Sequence, residues 1–256
     1  MTKISVLLPV FNAEKTIGKT LESVQWADEI VVVDSFSTDR TLEICRAYHT
    51  VIIQHAYINS AKQKNWALDK CHHEWVFQID SDEVLEAGGA EEILNAAATA
   101  DDHVDAFQMA RKNHVLGKWF RHGGIYPDWQ KRLFRKSRCR WFEKEVHSDL
   151  ENPGTTGRLK CHLIHDGMPT ISRQLRNLDR YTRYEADQLK KENVSFHWYQ
   201  MIVKPAAIFM YRYFYKKAFL EGWRGLILSA FLMFYTLLMY AKLWEMKEMD
   251  IEKSPE

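Results

Sequence analysis

Residues 74–85 read EWVFQIDSDEVL. The apolar run Trp75-Val76-Phe77-Gln78-Ile79 stops at Asp80-Ser81-Asp82-Glu83, which puts three acidic groups in four positions. Like charges this close repel, and a carboxylate at the edge of a core loses hydration. Either the cluster is a solvated turn, or something positive belongs beside it. The choice depends on what kind of strand the apolar run is.

Three earlier segments have the same character. ISVLLPV (4–10), EIVVVD (29–34) and TVIIQ (50–54) are near-continuous aliphatic and β-branched runs, the pattern of strands covered on both faces. Helical spacings separate them. Asn12 offers an N-cap before Ile17, Leu21 and Val24, and Thr41, Leu42, Ile44 and Ala47 continue as a second helix. SAKQKNWALDK (60–70) reads as a third, and GAEEILNAAATA (89–100) is helical by propensity. Strand and helix in alternation predict an α/β fold with a mostly parallel sheet flanked by helices. Ligands of such sheets bind beyond the carboxyl ends of the strands, where Asn12, Asp34 and Asp80 all lie.

Composition narrows the classes. The chain has 256 residues, 46% hydrophobic and 27% charged, so a large core is expected and global disorder is not. Lys+Arg is 35 against Asp+Glu 34, which gives no bias toward nucleic acid. One basic stretch, KRLFRKSRCRW (131–141), is poor support for a nucleic-acid surface in a neutral chain. Cys45, Cys71, Cys139 and Cys161 form no CxxC pair and read as reduced thiols of a cytosolic compartment. The N-terminal apolar run is too short for a signal peptide and ends at Pro9, so the chain is expected to start in the cytoplasm.

From residue 104 the pattern changes. VDAFQMARKNHVLGKWF suggests a long strand or hairpin running into RHGGIYPD (121–128), and mixed strands and loops follow to about 168. A helix carrying Leu175, Leu178, Tyr181 and Tyr184 is expected over 171–192. Residues 225–241 then carry no charge over 17 positions, the lower limit for a membrane span. Arg212, Lys216, Lys217 and Arg224 precede this run and Lys242 follows it. A buried helix pair and a full span are both readings of the run. The preferred one is an interfacial or shallowly inserted helix, anchored by Lys, Arg, Trp and Tyr.

Asp80-Ser81-Asp82 at a strand end supplies part of an oxygen shell for Mg²⁺ or Mn²⁺, which a substrate diphosphate would complete. Such an ion neutralises a diphosphate as it leaves. The plainer alternative is a helix N-terminal turn, where acids are favourable anyway.

In order, ISVLLPVFNAEKTIGKTLESV, EIVVVDSFSTDRTLEI, AKQKNWAL and VFQIDSDE resemble the donor half of a family 2 glycosyltransferase of the Rossmann-like GT-A fold. GGIYPDWQKRLFRK and EVHSDL resemble a narrower subgroup, the bacterial sugar transferases of lipopolysaccharide core assembly, notably the one adding glucose to inner-core heptose. The resemblance implies that Pro9 and Phe11 line a nucleobase pocket and that Asp34 accepts from uracil or ribose. It implies that Lys62 reaches the nucleotide, that Asp80 contacts ribose or metal, and that Asp82 holds the metal against the diphosphate. Inverting transfer also needs a carboxylate to take the acceptor proton opposite the leaving group. Asp128 is the candidate, downstream of Gly123-Gly124, with Glu143 and Glu145 in reserve; it departs from the family's commoner Glu-Asp pair and rests on the subgroup. Arg132 and Arg135 would meet phosphate, and His147 would touch donor phosphate or acceptor, or else be a core histidine. His162 and His165 form no HExxH zinc motif.

The expected organisation is a catalytic domain over 1–168, with a donor half 1–103 and an acceptor half 104–168, followed by a helical membrane-associating region over 169–256. The expected partners are a UDP-sugar, a lipid-linked glycan acceptor and the cytoplasmic face of the inner membrane. Transfer to a capsule or O-antigen lipid, a non-catalytic nucleotide-binding protein, and an integral membrane protein with a soluble head are the rival readings.

Overall fold

The apolar run Ile4–Val10 is the central strand β1. In the computed structural model, which describes residues 2–142 and 149–248, its residues divide between two cores. Ile4, Val6 and Leu8 face one helical layer, and Leu7 faces the other. This is why the run shows no polar alternation.

The following elements are α1 (Ile17–Val24), β2 (Glu29–Asp34), α2 (Thr41–Arg46), β3 (Val51–Gln54), α3 (Ser60–Leu68), β4 (Trp75–Gln78), β5 (Glu83–Leu85) and α4 (Gly89–Thr99). Then come β6 (Val104–Val115), β7 (Lys118–Trp119), β8 (Asp128–Arg135), β9 (Arg140–Trp141), β10 (Leu150–Glu151) and β11 (Thr155–Met168). The chain forms two compact units: Met1–Lys112 with Asp128–Asp166, and Asn113–Pro127 with Gly167–Glu256. The excursion 113–127 therefore clusters with the C-terminal helices, although the sequence reading put it in the acceptor half.

In the first unit the strand order is β3-β2-β1-β4-β8-β6-β11-β5. β1 to β4 pair in parallel. β8 joins β4 antiparallel, β6 joins β8 antiparallel, and β5 joins β11 antiparallel. The α/β class is the expected one, with the parallel part built by the first four strands. The order reverses at β1, which opens a crevice at the carboxyl ends of β1 and β4. α1 and α4 cover one face through Leu21, Val24 and Ile93, packed with Phe77 and Leu133. α3 covers the other through Ala61 and Leu68, packed with Val33, Phe134 and Trp141. Phe77 is fully buried, so its truncation to Ala would cost about 3–5 kcal/mol.

Two local features differ from the sequence reading. α1 begins at Ile17 with no side-chain cap, and Asn12 adopts a left-handed φ of 46°. Its amide and side chain bond the loop after β2 instead of capping a helix. The β6–β8 ladder also carries a bulge: Phe107 faces Leu133 but Gln108 faces Lys131, so Arg132 is skipped.

In the second unit β6 turns through Leu116 and Gly117, both with positive φ, to pair with β7. α5 (Ile171–Lys191) starts at Thr170, whose side chain accepts from the Arg173 amide. α6 (Gln200–Met210) runs into a π-helical turn at Tyr211–Tyr215 and a 3-10 turn at Ala218–Glu221. α7 (Trp223–Glu248) has 26 residues, and the uncharged run forms its middle. Gly225 is obligatory, because a Cβ there would lie 1.9 Å from the Ala218 carbonyl oxygen. α7 is long and apolar enough to cross a membrane, and only 17% of its most apolar window is buried.

Candidate active site

β4 delivers the acidic turn and α1 fixes it. The Ile79 amide donates to the Leu7 carbonyl at 3.1 Å, which holds the strand end against β1. The Thr20 hydroxyl of α1 reaches the carbonyls of Ser81 at 3.1 Å and Glu83 at 2.8 Å. Glu83 bends back so that its Oε2 accepts from the Asp80 amide at 3.1 Å.

The positive groups beside this turn come from three other elements. Arg132, released from the ladder by the bulge, is 3% exposed. Its Nη2 lies 2.9 Å from Asp80 Oδ2 and 2.6 Å from Glu83 Oε1, and its Nη1 donates to Gln78. Its Nε has no hydrogen-bond partner among the described residues. Lys64 of α3 stands 3.7 Å from Asp80 Oδ1, to which Gln78 also donates at 2.8 Å. Arg111 of β6 reaches Glu83 Oε1 at 3.1 Å. Burial opposes charge on Asp80, yet Lys64 and Arg132 together hold its carboxyl far below the usual carboxylate range. Burial likewise opposes charge on Arg132, but Glu83 and Asp80 raise its pKa above that of an ordinary arginine. Arg132 was expected at a phosphate; the structure gives it to the acidic turn as an internal counterion.

Asp128 opens β8 opposite Arg111, the last rung of the ladder. Arg111 Nε and Nη2 each lie 2.8 Å from Asp128 Oδ2, and Gln130 Nε2 donates to Oδ1 at 2.7 Å. The series Asp80, Arg132, Glu83, Arg111, Asp128 is thus continuous, alternating in sign at every step.

Asp82 faces another group that the sequence reading set aside. His165 Nε2 of β11 lies 3.8 Å from Asp82 Oδ2, because His165 pairs with Glu83 in the β5–β11 ladder. Burial and then Arg111 lower the His165 pKa against the pull of Asp82, Glu83 and Asp80, which favours a neutral imidazole. Among the described residues no three His, Cys, Asp or Glu side chains form a ready-made metal cluster. Both Asp80 oxygens already face Gln78, Lys64 and Arg132, which leaves the Asp82 carboxylate as the ligand for a hard divalent cation that draws its other ligands from a diphosphate.

The remaining positions divide. Phe11 is 59% exposed at the mouth of β1, and Pro9 is half-buried within it. Asp34 is fully buried at the end of β2; its oxygens accept from the Ser37 amide, and Gln54 Nε2 donates at 2.9 Å. Lys62 is exposed in the first turn of α3, where its amide donates to the Asn59 cap. Arg135 stacks on Trp75 at 4.6 Å and donates to the Val104 carbonyl, away from the acidic turn. His162 pairs with Glu86 at 2.9 Å. His147, Glu143 and Glu145 lie outside the described residues. Sequence reasoning missed Arg111 and Lys64 and left the roles of Glu83 and His165 open, because the relevance of all four depends on strand pairing and a helix face.

The profile of glycosyl transferase family 2 matches residues 5–153. The chain belongs to this family. Its acidic turn follows β4 directly, where the parallel strands of the sheet meet the antiparallel ones. The lipopolysaccharide core biosynthesis glycosyltransferase LpsC of Rhizobium meliloti (strain 1021) is 26% identical over 249 residues, covering 94% of this chain and 92% of LpsC. The poly(ribitol-phosphate) beta-N-acetylglucosaminyltransferase TarS of Staphylococcus aureus (strain Mu50) is 33% identical over 130 residues, covering 46% of this chain and 22% of TarS. The crystal structure of S. aureus TarS 1-349 with UDP superposes with a TM-score of 0.48 at 17% identity, over 98% of this chain and 92% of that one.

Proposed function

We propose that the protein is an inverting glycosyltransferase that moves glucose from UDP-glucose to a lipid-linked glycan, the inner core of lipopolysaccharide. The observation that carries this reading is the continuous charge series from Asp80 to Asp128. The series holds two carboxylates, Asp80 and Asp128, in one array beyond the end of β4, and in this reading the first serves the donor and the second the acceptor. Membership of glycosyl transferase family 2 supports the chemistry, and the LpsC relative supports the acceptor class.

In this reading Phe11 and Pro9 line the nucleobase pocket, Asp34 accepts from uracil or ribose, and Lys62 reaches toward the nucleotide. Asp82, with Asp80 and His165 beside it, would hold a divalent cation, Mg²⁺ or Mn²⁺, which supplies positive charge to the departing diphosphate. Arg132 keeps Asp80 ionised and fixed rather than touching substrate. Arg111 and Gln130 orient Asp128, which takes the acceptor hydroxyl proton. The acceptor oxygen then bonds to the anomeric carbon from the face opposite UDP, and the bond to UDP breaks with its electron pair going to the diphosphate.

We assign catalysis to the first unit and membrane docking to the second. Exposed Phe214, Tyr215, Leu220 and Trp223, close in the chain to the exposed Lys217, suit an anionic inner leaflet, with α7 lying on the cytoplasmic face or shallowly inserted.

The test is calorimetric titration of UDP into the protein with Mn²⁺ and again with excess chelator, followed by turnover of Asp128→Asn. Metal-dependent UDP binding is expected in both proteins, with turnover lowered about 10²–10⁴-fold in the variant. No binding in either condition overturns the donor assignment. Near-normal turnover of Asp128→Asn overturns the base.

A further inference from the structure

Two residues other than glycine hold left-handed backbone at the mouth of the parallel strands, Asn12 at φ 46° and Phe36 at φ 61°. Asparagine tolerates this region; a bulky aromatic residue there is an outlier that persists only where its surroundings impose it. The imposing contacts are visible on both sides of Phe36. The Ser35 amide donates to the Val10 carbonyl at 3.0 Å, and the Ser37 amide donates to both Asp34 oxygens at 3.1 Å. The Asn12 amide donates to Ser37 Oγ at 2.9 Å, and the Thr38 amide to Asn12 Oδ1 at 2.8 Å. Residues 10–12 and 35–38 therefore run side by side, with Phe11 and Phe36 as neighbours.

The Phe36 side chain leaves the residue 54% exposed and Phe11 is 59% exposed; among the described residues neither ring meets another ring. An exposed apolar ring on left-handed backbone, in a loop bonded to the one that carries the exposed Phe11 and following the buried Asp34 in the chain, has the form of a site awaiting a flat ligand.

We propose that Phe36 is a second aromatic wall of the nucleobase site, stacking on the uracil of the donor. This inference rests on the UDP-sugar reading above. Stacking on an aromatic side chain is insensitive to the substituents on the base edge. Phe36 therefore contributes affinity for the nucleoside as a whole, and the diphosphate end of the site is indifferent to it.

The test uses the full-length protein with Mn²⁺ and two probes, UDP and inorganic pyrophosphate, on wild type, Phe36→Gly, Phe36→Asn and Phe36→Trp. Glycine and asparagine both accept left-handed backbone, so these variants keep the loop and remove the ring. UDP affinity is expected to fall about tenfold or more in both, with pyrophosphate affinity unchanged and Tm not lowered. Phe36→Trp is expected to retain UDP binding. Unchanged UDP affinity in Phe36→Gly and Phe36→Asn overturns the proposal. So does an equal loss of UDP and pyrophosphate, or a lowered Tm in both, which would make the ring a packing residue. A wild type that binds no UDP would overturn the donor reading itself, and this inference with it.

Discussion

Arg111 and Asp128 close the β6–β8 ladder as its last rung, with two guanidinium nitrogens each 2.8 Å from one carboxylate oxygen. A carboxylate gripped this way cannot rotate about its own axis to find an acceptor, so the direction in which it presents its other oxygen is set by the sheet.

Loss of that grip should therefore harm the chemical step more than substrate binding. Arg111→Gln is expected to lower kcat by about 10–10²-fold and to leave the KM for the sugar nucleotide within about threefold, since misplacement of a reacting group by about 1 Å costs that much. Arg111→Lys keeps the charge but not the fork and should recover only part of the rate. Steady-state kinetics at saturating acceptor separate the two parameters. A variant that raised KM and spared kcat would move Arg111 from base orientation to donor binding.

Glu83 is the buried member that both arginines share, at 2.6 Å from Arg132 and 3.1 Å from Arg111. Glu83→Gln leaves those guanidinium groups with one anion fewer in a site where neither Glu83 nor Arg132 meets solvent. Removing one partner of such a buried pair costs about 3–5 kcal/mol. For a chain of this size that corresponds to a Tm lower by about 6–20 °C. Differential scanning calorimetry reads it directly; a shift below about 2 °C would mean that water reaches Glu83.

Glu221 contributes to the acid sensitivity of the second unit. Burial alone would raise its pKa, but Lys118 at 2.7 Å, His122 at 2.8 Å and the amides of Arg121 and His122 lower it to about 2. A carboxyl with a depressed folded-state pKa contributes its full stability above the ordinary glutamate value of about 4.3, and that contribution fades as pH falls toward about 2. Helical circular dichroism should show thermal stability declining across that window. Glu221→Gln should flatten the decline and cost about 1–3 kcal/mol at neutral pH. An unaltered acid profile in the variant would place the titrating group elsewhere.

Membrane docking predicts a dependence on both charge and one aromatic side chain. Trp223 is 80% exposed at the start of α7, and Lys217 is exposed in the turn before it. Co-sedimentation with phosphatidylglycerol vesicles should exceed that with phosphatidylcholine vesicles and weaken at high salt. Lys217→Gln should reduce partitioning roughly fivefold, at about 1 kcal/mol per basic residue near the surface. Trp223→Ala should reduce binding to both kinds of vesicle. Equal binding to both lipids at every salt concentration would favour a fully inserted helix.

The parts of the fold that could be read from the sequence are those where one physical rule decides. Runs such as Val31-Val32-Val33 must be covered on both faces, and the parallel strands appeared where expected. The 17 uncharged residues identified α7, although Trp223, Arg224 and Lys242–Glu248 lengthen it, because charged residues at helix ends remain helical when they reach water. The site was half legible. Asp80, Asp82 and Asp128 stand out as acids at strand ends, but their partners depend on contacts across 16 to 83 positions of chain. Arg111 matters because β6 registers against β8, and His165 because β11 registers against β5. Asn12 looked like a helix cap because its residue type suits one; its left-handed backbone serves a loop-to-loop bond that only the fold reveals.

The bulge at Arg132 sets the reading frame of the whole strand before it. Were Arg132 an ordinary rung, every earlier residue of β8 would slide by one place. Trp129 would then stand opposite Arg111, and Asp128 would turn to the other face of the sheet beside Lys112. Excision of Arg132 would instead close the ladder with Lys131 still facing Gln108 and Asp128 still facing Arg111. Length changes in this strand are thus asymmetric: loss of the bulged residue preserves which way the acid points, whereas one added residue can turn the site inside out without altering a single core side chain.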